Sequence, residues 1–115
     1  MTDKRSLLKA KGVNGQLELF DALVRINRRG LQTFISRGAN GDKDIPIPDI
    51  SSVQFKKAAF PINGHIRFIC AGQKADVRSI YAPWDENTVL FNWYQQQQFQ
   101  DIKKAIEAKL RRQSV

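Results

Sequence analysis

Apolar and polar positions alternate along the first two thirds of the chain, then give way to a helical period in the last fifth. The alternation predicts strands. The first runs from Leu7 to Val13 and ends at Asn14-Gly15, a pair suited to the positive φ of a type I′ hairpin turn. The second spans Gln16 to Phe20, with Leu17 and Leu19 on one face. A tight turn at Asp21-Ala22 leads to the third, Leu23 to Arg28, with Val24 and Ile26 inward and Arg25 outward. Such short connections make the three an antiparallel meander. Lys43 to Ile47 is the fourth strand. Pro46 and Pro48 each remove a ladder donor there, which predicts an edge or bulged strand. Ile50 to Lys57, His65 to Cys70 and Asn87 to Phe91 complete seven. In the sixth, Ile66, Phe68 and Cys70 face inward, and His65, Arg67 and Ile69 outward.

The tail changes period. Phe99, Ile102, Ile106 and Leu110 recur three and four apart, an apolar stripe on a helix of about residues 93–112. Asn92 with Gln95 resembles a capping box. Glu107 and Arg111 are ordered for an i, i+4 pair, and Arg111 and Arg112 suit the negative end of the helix dipole. Repeats, linkers and low-complexity tracts are absent from the sequence, so residues 1–115 read as one domain. The expected fold is mainly β, a seven-stranded antiparallel bent sheet or barrel whose open mouth one C-terminal helix caps.

Four pieces in order carry a resemblance: GVNGQLELFDALVRI, GDKDIPIPDISSVQFK, INGHIRFIC and ENTVLFN. They are similar to a bacterial and phage pleckstrin-homology-like family of unknown function. That family typically has Gly-Lys-x-Ile-Pro, Ile-x-x-Val-Gln-Phe-Lys, Asn-Gly-x-Ile-x-Phe and Glu-Asn-Thr-Val-x-Phe before a helix. The likeness covers roughly residues 8–110, with Asp42-Lys43-Asp44 in place of the plain Gly-Lys. In some members a helical SHOCT segment follows, for which Val115 leaves no room. The resemblance implies a pleckstrin-homology-like fold and no activity.

Composition narrows the function classes. An apolar fraction of 42% fits a chain with a buried core. The single cysteine, Cys70, excludes an intramolecular disulfide and suits a reducing compartment. Neither a signal peptide nor an apolar run near the bilayer-spanning length of about 20 residues is visible. The expected location is the cytoplasm, with peripheral membrane contact as an alternative. A net charge of +8 attracts phosphates and acidic partners.

The sequence contains no catalytic constellation. His65 is the only histidine, and the acids Asp42, Asp44, Asp85 and Glu86 lack metal-ligand spacing. Gly-rich phosphate and nucleophile-elbow motifs are missing, so neither an enzyme nor a cofactor is expected. Two loops remain. In the first, Leu31, Phe34 and Ile35 fall on one side of a helical turn flanked by Arg28, Arg29 and Arg37. Such a turn packs on the core, meets a partner, or dips into an anionic membrane interface. The second loop carries Lys74, Arg78, Tyr81 and Trp84, which either fold back or anchor an interface. Lys9 and Lys11 on the first strand and Arg25, Arg28 and Arg29 on the third are candidates for a generic anionic patch, but the second strand, Gln16-Leu17-Glu18-Leu19, lacks the basic motif of phosphoinositide-binding relatives. The expected function is a non-catalytic module for protein contact or self-association. Anionic phospholipid is the alternative, and weak nucleic-acid binding a second one.

Overall fold

A computed structural model describes residues 6–28, 42–71 and 86–113. Among these residues, seven strands and one long helix follow in the expected order. They are β1 (Leu8–Lys11), β2 (Gln16–Leu19), β3 (Leu23–Asn27), β4 (Asp42–Pro46), β5 (Ile50–Lys56), β6 (Gly64–Cys70), β7 (Thr88–Phe91) and α1 (Gln96–Gln113). A 3-10 turn, Ile47–Asp49, joins β4 to β5.

The strands form two antiparallel sheets, β1-β2-β3-β4 and β5-β6-β7. They do not close into a barrel, which corrects the barrel form of the expectation. The break falls where the prolines are. Pro46 ends β4 and Pro48 lies in the 3-10 turn. Neither has an N–H to carry the ladder onward, so β5 starts a second sheet. β4 is an edge strand, as the prolines predict.

The core lies between the sheets. Ala10, Leu17, Leu19, Val24, Ile26 and Ile45 come from the first sheet, and Ile66, Phe68, Val89 and Phe91 from the second. Phe99, Ile102 and Ile106 of α1 are fully buried among them, with Leu110 partly so. The helix therefore plugs the space the sheets leave open. Phe91 stacks between Phe55 (5.2 Å) and Phe99 (4.7 Å). Fully burying each such side chain contributes about 1.5–3 kcal/mol.

The start of α1 is half a capping box. The Gln95 side chain accepts from the Asn92 N–H at 3.0 Å. Asn92 does not reciprocate, and its Oδ1 is buried without a partner. Glu107 pairs with Lys103, one turn earlier, at 3.1 Å.

The first hairpin departs from expectation. Gly12 donates to the Gly15 carbonyl at 2.8 Å, so Val13 and Asn14 are its central residues. Among the described residues no non-glycine has positive φ, so the turn is not type I′. Asn14 is held by β7 instead: its Oδ1 accepts from the Leu90 N–H at 2.8 Å, while Val13 donates to the Leu90 carbonyl at 2.7 Å. These bonds seat the hairpin turn on the free edge of β7.

Candidate functional site

Of the candidate residues in the first loop, only Arg28 is described, and it is 8% exposed. Its guanidinium donates to the carbonyls of Asn14 and Thr88, both at 2.7 Å. Arg28 thus ties the end of β3 to β7. Arg29, Leu31, Phe34, Ile35 and Arg37 lie outside the described residues, as do Lys74, Arg78, Tyr81 and Trp84.

Two residues of the other expected basic patch, Lys9 and Arg25, stand in a charge-compensated row, while Lys11 faces Gln16. Lys9 stands opposite Glu18, Glu18 opposite Arg25, and Arg25 opposite Asp44. Alternating charges in one row across four strands attract their neighbours. Arg25 and Asp44 close it with two bonds, at 2.7 and 3.1 Å. The first of these, helped by the charge attraction, raises the Arg25 pKa and lowers that of Asp44.

On β6, His65 and Arg67 occupy the face away from the core, as expected, yet both are buried. β6 is the central strand of its sheet. Burial, reinforced by Lys56 and Arg67, lowers the His65 pKa below 6.5. Cys70 packs at the core margin beside Asn87. Among the described residues no group of three His, Cys, Asp or Glu side chains is placed to hold a metal. No helix of the described residues is long and apolar enough to cross a membrane.

Two features the sequence reading missed meet at one end of the three-stranded sheet. The first is an apolar tip. Phe60 (80% exposed) and Ile62 (61%) project from the β5–β6 turn, and Trp93 (56%) and Tyr94 (71%) from the β7–α1 junction. Gly64 pairs with Phe91 here, and the Ala58 N–H donates to Gln96 Oε1 at 2.5 Å, which keeps turn and junction together. Trp93 meets Tyr94 edge to face at 5.5 Å.

The second feature is a groove of about 270 Å³ between β5 and α1. Phe55, Lys57, Gln100, Lys103 and Lys104 line it. Lys103 reaches over the Phe55 ring, 5.9 Å from its centroid. One family model matches residues 19–107, and its description is a domain of unknown function, DUF4429. The chain belongs to this family. No curated protein and no solved structure matches it.

The stretch matched to DUF4429 takes in the whole tip and the whole groove. A signal for the tip existed in the sequence. Trp93 and Tyr94 fall before the stripe that begins at Phe99, so the helix period leaves them without a core position. The groove had no such signal, because Lys57 and Lys104 are 47 residues apart.

Proposed function

We propose that this DUF4429 chain is a non-catalytic binding module of pleckstrin-homology-like architecture, working in the cytoplasm, that engages a protein surface. The four-stranded and three-stranded sheets followed by one capping helix support the architecture. The single observation carrying the function is the tip: Phe60, Ile62, Trp93 and Tyr94 exposed together at one end. Aromatic residues dominate interface energetics, and clustered exposed apolar side chains mark interaction sites. The partner is another protein or a second copy of the chain.

A photo-crosslinking residue placed at position 93 in producing cells tests this. Expected are protease-sensitive adducts at position 93 and none from position 9 on the charge-compensated sheet. A chain that stays free at position 93, or cross-links only to lipid, overturns the reading.

Anionic phospholipid is the second reading. Lys56 and Lys57 adjoin the apolar tip, an arrangement suited to an acidic membrane interface. Sedimentation with phosphatidylserine vesicles checks it: binding falls with salt and with Phe60→Asp. Equal sedimentation with neutral vesicles removes it.

A further inference from the structure

Sheet edges are places where an extended chain can add, and among the described strands three of the four edges carry a bond from elsewhere in the chain or residues that disfavour pairing. The β7 edge carries the hairpin turn and Arg28, bonded to the Leu90 and Thr88 carbonyls. The β1 edge lies against α1, with Lys11 donating to Gln98 Oε1 at 3.3 Å. The β4 edge has Asp42, Asp44 and Pro46, residues that disfavour added strands. That leaves β5, which among the described strands pairs with β6 alone.

The direction of its main-chain groups follows from the ladder. Phe68 donates to the Asn87 carbonyl at 3.1 Å, so Gly64, Ile66 and Phe68 turn their main-chain groups toward β7. His65, Arg67 and Ile69 then turn theirs toward β5, bonding their register partners Lys56, Gln54 and Ser52. The N–H and C=O groups of Val53 and Phe55 consequently point away from β6, toward the side where no described strand pairs. The groove lies between β5 and α1. Its rim bears Lys57, Lys103 and Lys104. Glu107 pairs with Lys103, whereas Lys57 and Lys104 have no ion pair among the described residues.

We propose that an extended acidic segment of a partner protein docks in this groove as an added strand. It hydrogen-bonds the main chain of Val53 and Phe55, packs an apolar side chain beside Phe55, and sets its carboxylates against Lys57, Lys103 and Lys104. Main-chain bonds supply affinity in this mode, and the side chains beside the edge supply selectivity. The proposal rests on the protein-binding reading and names the chemistry of the partner.

The test uses a fluorescent ten-residue peptide of alternating valine and glutamate, followed by anisotropy against the full chain. Expected is saturable binding that weakens with salt and is absent for the valine–lysine counterpart. Lys57→Glu with Lys104→Glu lowers affinity at least about tenfold, as charge reversal at a complementary rim does. N-methylating alternate peptide bonds of the acidic peptide also abolishes binding, and needs no change to the protein. In hydrogen exchange, peptide slows the Val53 and Phe55 amides. Equal binding of the lysine peptide, unchanged affinity in the double variant, or no protection at Val53 and Phe55 overturns the proposal. If these fail while protein adducts persist at position 93, strand docking alone falls; if both fail, the protein-binding reading falls with it.

Discussion

The guanidinium of Arg28 donates a 2.7 Å hydrogen bond to the main-chain carbonyl of Thr88, 60 residues away in sequence. A second bond of equal length, to the Asn14 carbonyl, makes one buried side chain the clasp among β3, the first hairpin turn and β7. Charged donors to buried carbonyls contribute about 1.5–3 kcal/mol each, and their loss leaves those carbonyls unmet. Arg28→Ala is therefore expected to cost about 3 kcal/mol in urea unfolding. Arg28→Lys recovers only part of this, because a single ammonium lacks the planar fork. A loss under about 1 kcal/mol for Arg28→Ala would show that the clasp is not structural.

Arg25 supplies the contrast. Its bond to Asp44 is equally short, but the two side chains are 34% and 43% exposed. Solvent screens such pairs, so Arg25→Ala is expected to cost less than about 1 kcal/mol. Paired melts of the two alanine variants check the ordering, and a costlier Arg25 change contradicts it.

Acidification acts through two groups in separate windows. The folded-state pKa of His65 lies below 6.5. As pH falls through 6.5 the unfolded chain takes up the proton first, so the His65 contribution is present above that pH and is lost below it. The Asp44 pKa is lowered from 3.8 by Arg25, and its contribution is lost on the acid side of that value. Chemical denaturation between pH 7 and 5 is expected to show falling stability in the wild type and a flatter profile in His65→Gln. Parallel profiles would mean that His65 does not govern this range.

Gly12 has no room for a side chain. A Cβ there would strike the Leu90 carbonyl oxygen and lie 3.0 Å from Phe99 Cζ. The obstacle is main chain that also accepts the Val13 bond, so it cannot simply swing aside. Gly12→Ala is expected to cost about 1–3 kcal/mol, the usual range for overpacking. Thermal melts beside Gly15→Ala, whose nearest neighbour is the Arg28 side chain at 3.2 Å, distinguish this clash from a general effect of losing glycine. Equal losses at the two positions would argue against the clash.

Trp93 and Tyr94 are expected to behave as function rather than framework. Both stand mostly in solvent, so Trp93→Ala with Tyr94→Ala changes stability by about 0.5 kcal/mol or less. Phe99→Ala, five residues beyond Tyr94 in α1 and fully buried, costs about 3–5 kcal/mol. Melting curves of the two variants separate the roles, and a strongly destabilised tip variant would recast the tip as core.

Much of the fold was legible along the chain. Alternation of Leu17, Leu19, Val24 and Ile26 marked their inward faces, and Phe99, Ile102 and Ile106 marked the helix stripe, because burial on one face imposes a period of 2 or 3.6 on neighbours in sequence. The expected interaction loops rest on composition, and all of their candidate residues except Arg28 lie outside the described residues. Phe60 and Ile62 carry no joint signal with Trp93 and Tyr94, because 31 residues separate Ile62 from Trp93. Only the pairing of Gly64 with Phe91 brings turn and junction to one end.

By itself the sequence determined the kinds of element, their order and the main apolar faces, since these follow from local periodicity and turn chemistry; Ile69, expected outward, is buried all the same. Tertiary structure decided that the ladder divides at Pro46–Pro48, that Arg28 lies inside, that Asn14 serves β7 before its own turn, and that β5, which pairs with β6 alone among the described strands, lies beside three lysines. Each of these depends on partners brought together from distant parts of the chain, and local periodicity carries no record of which distant groups will meet.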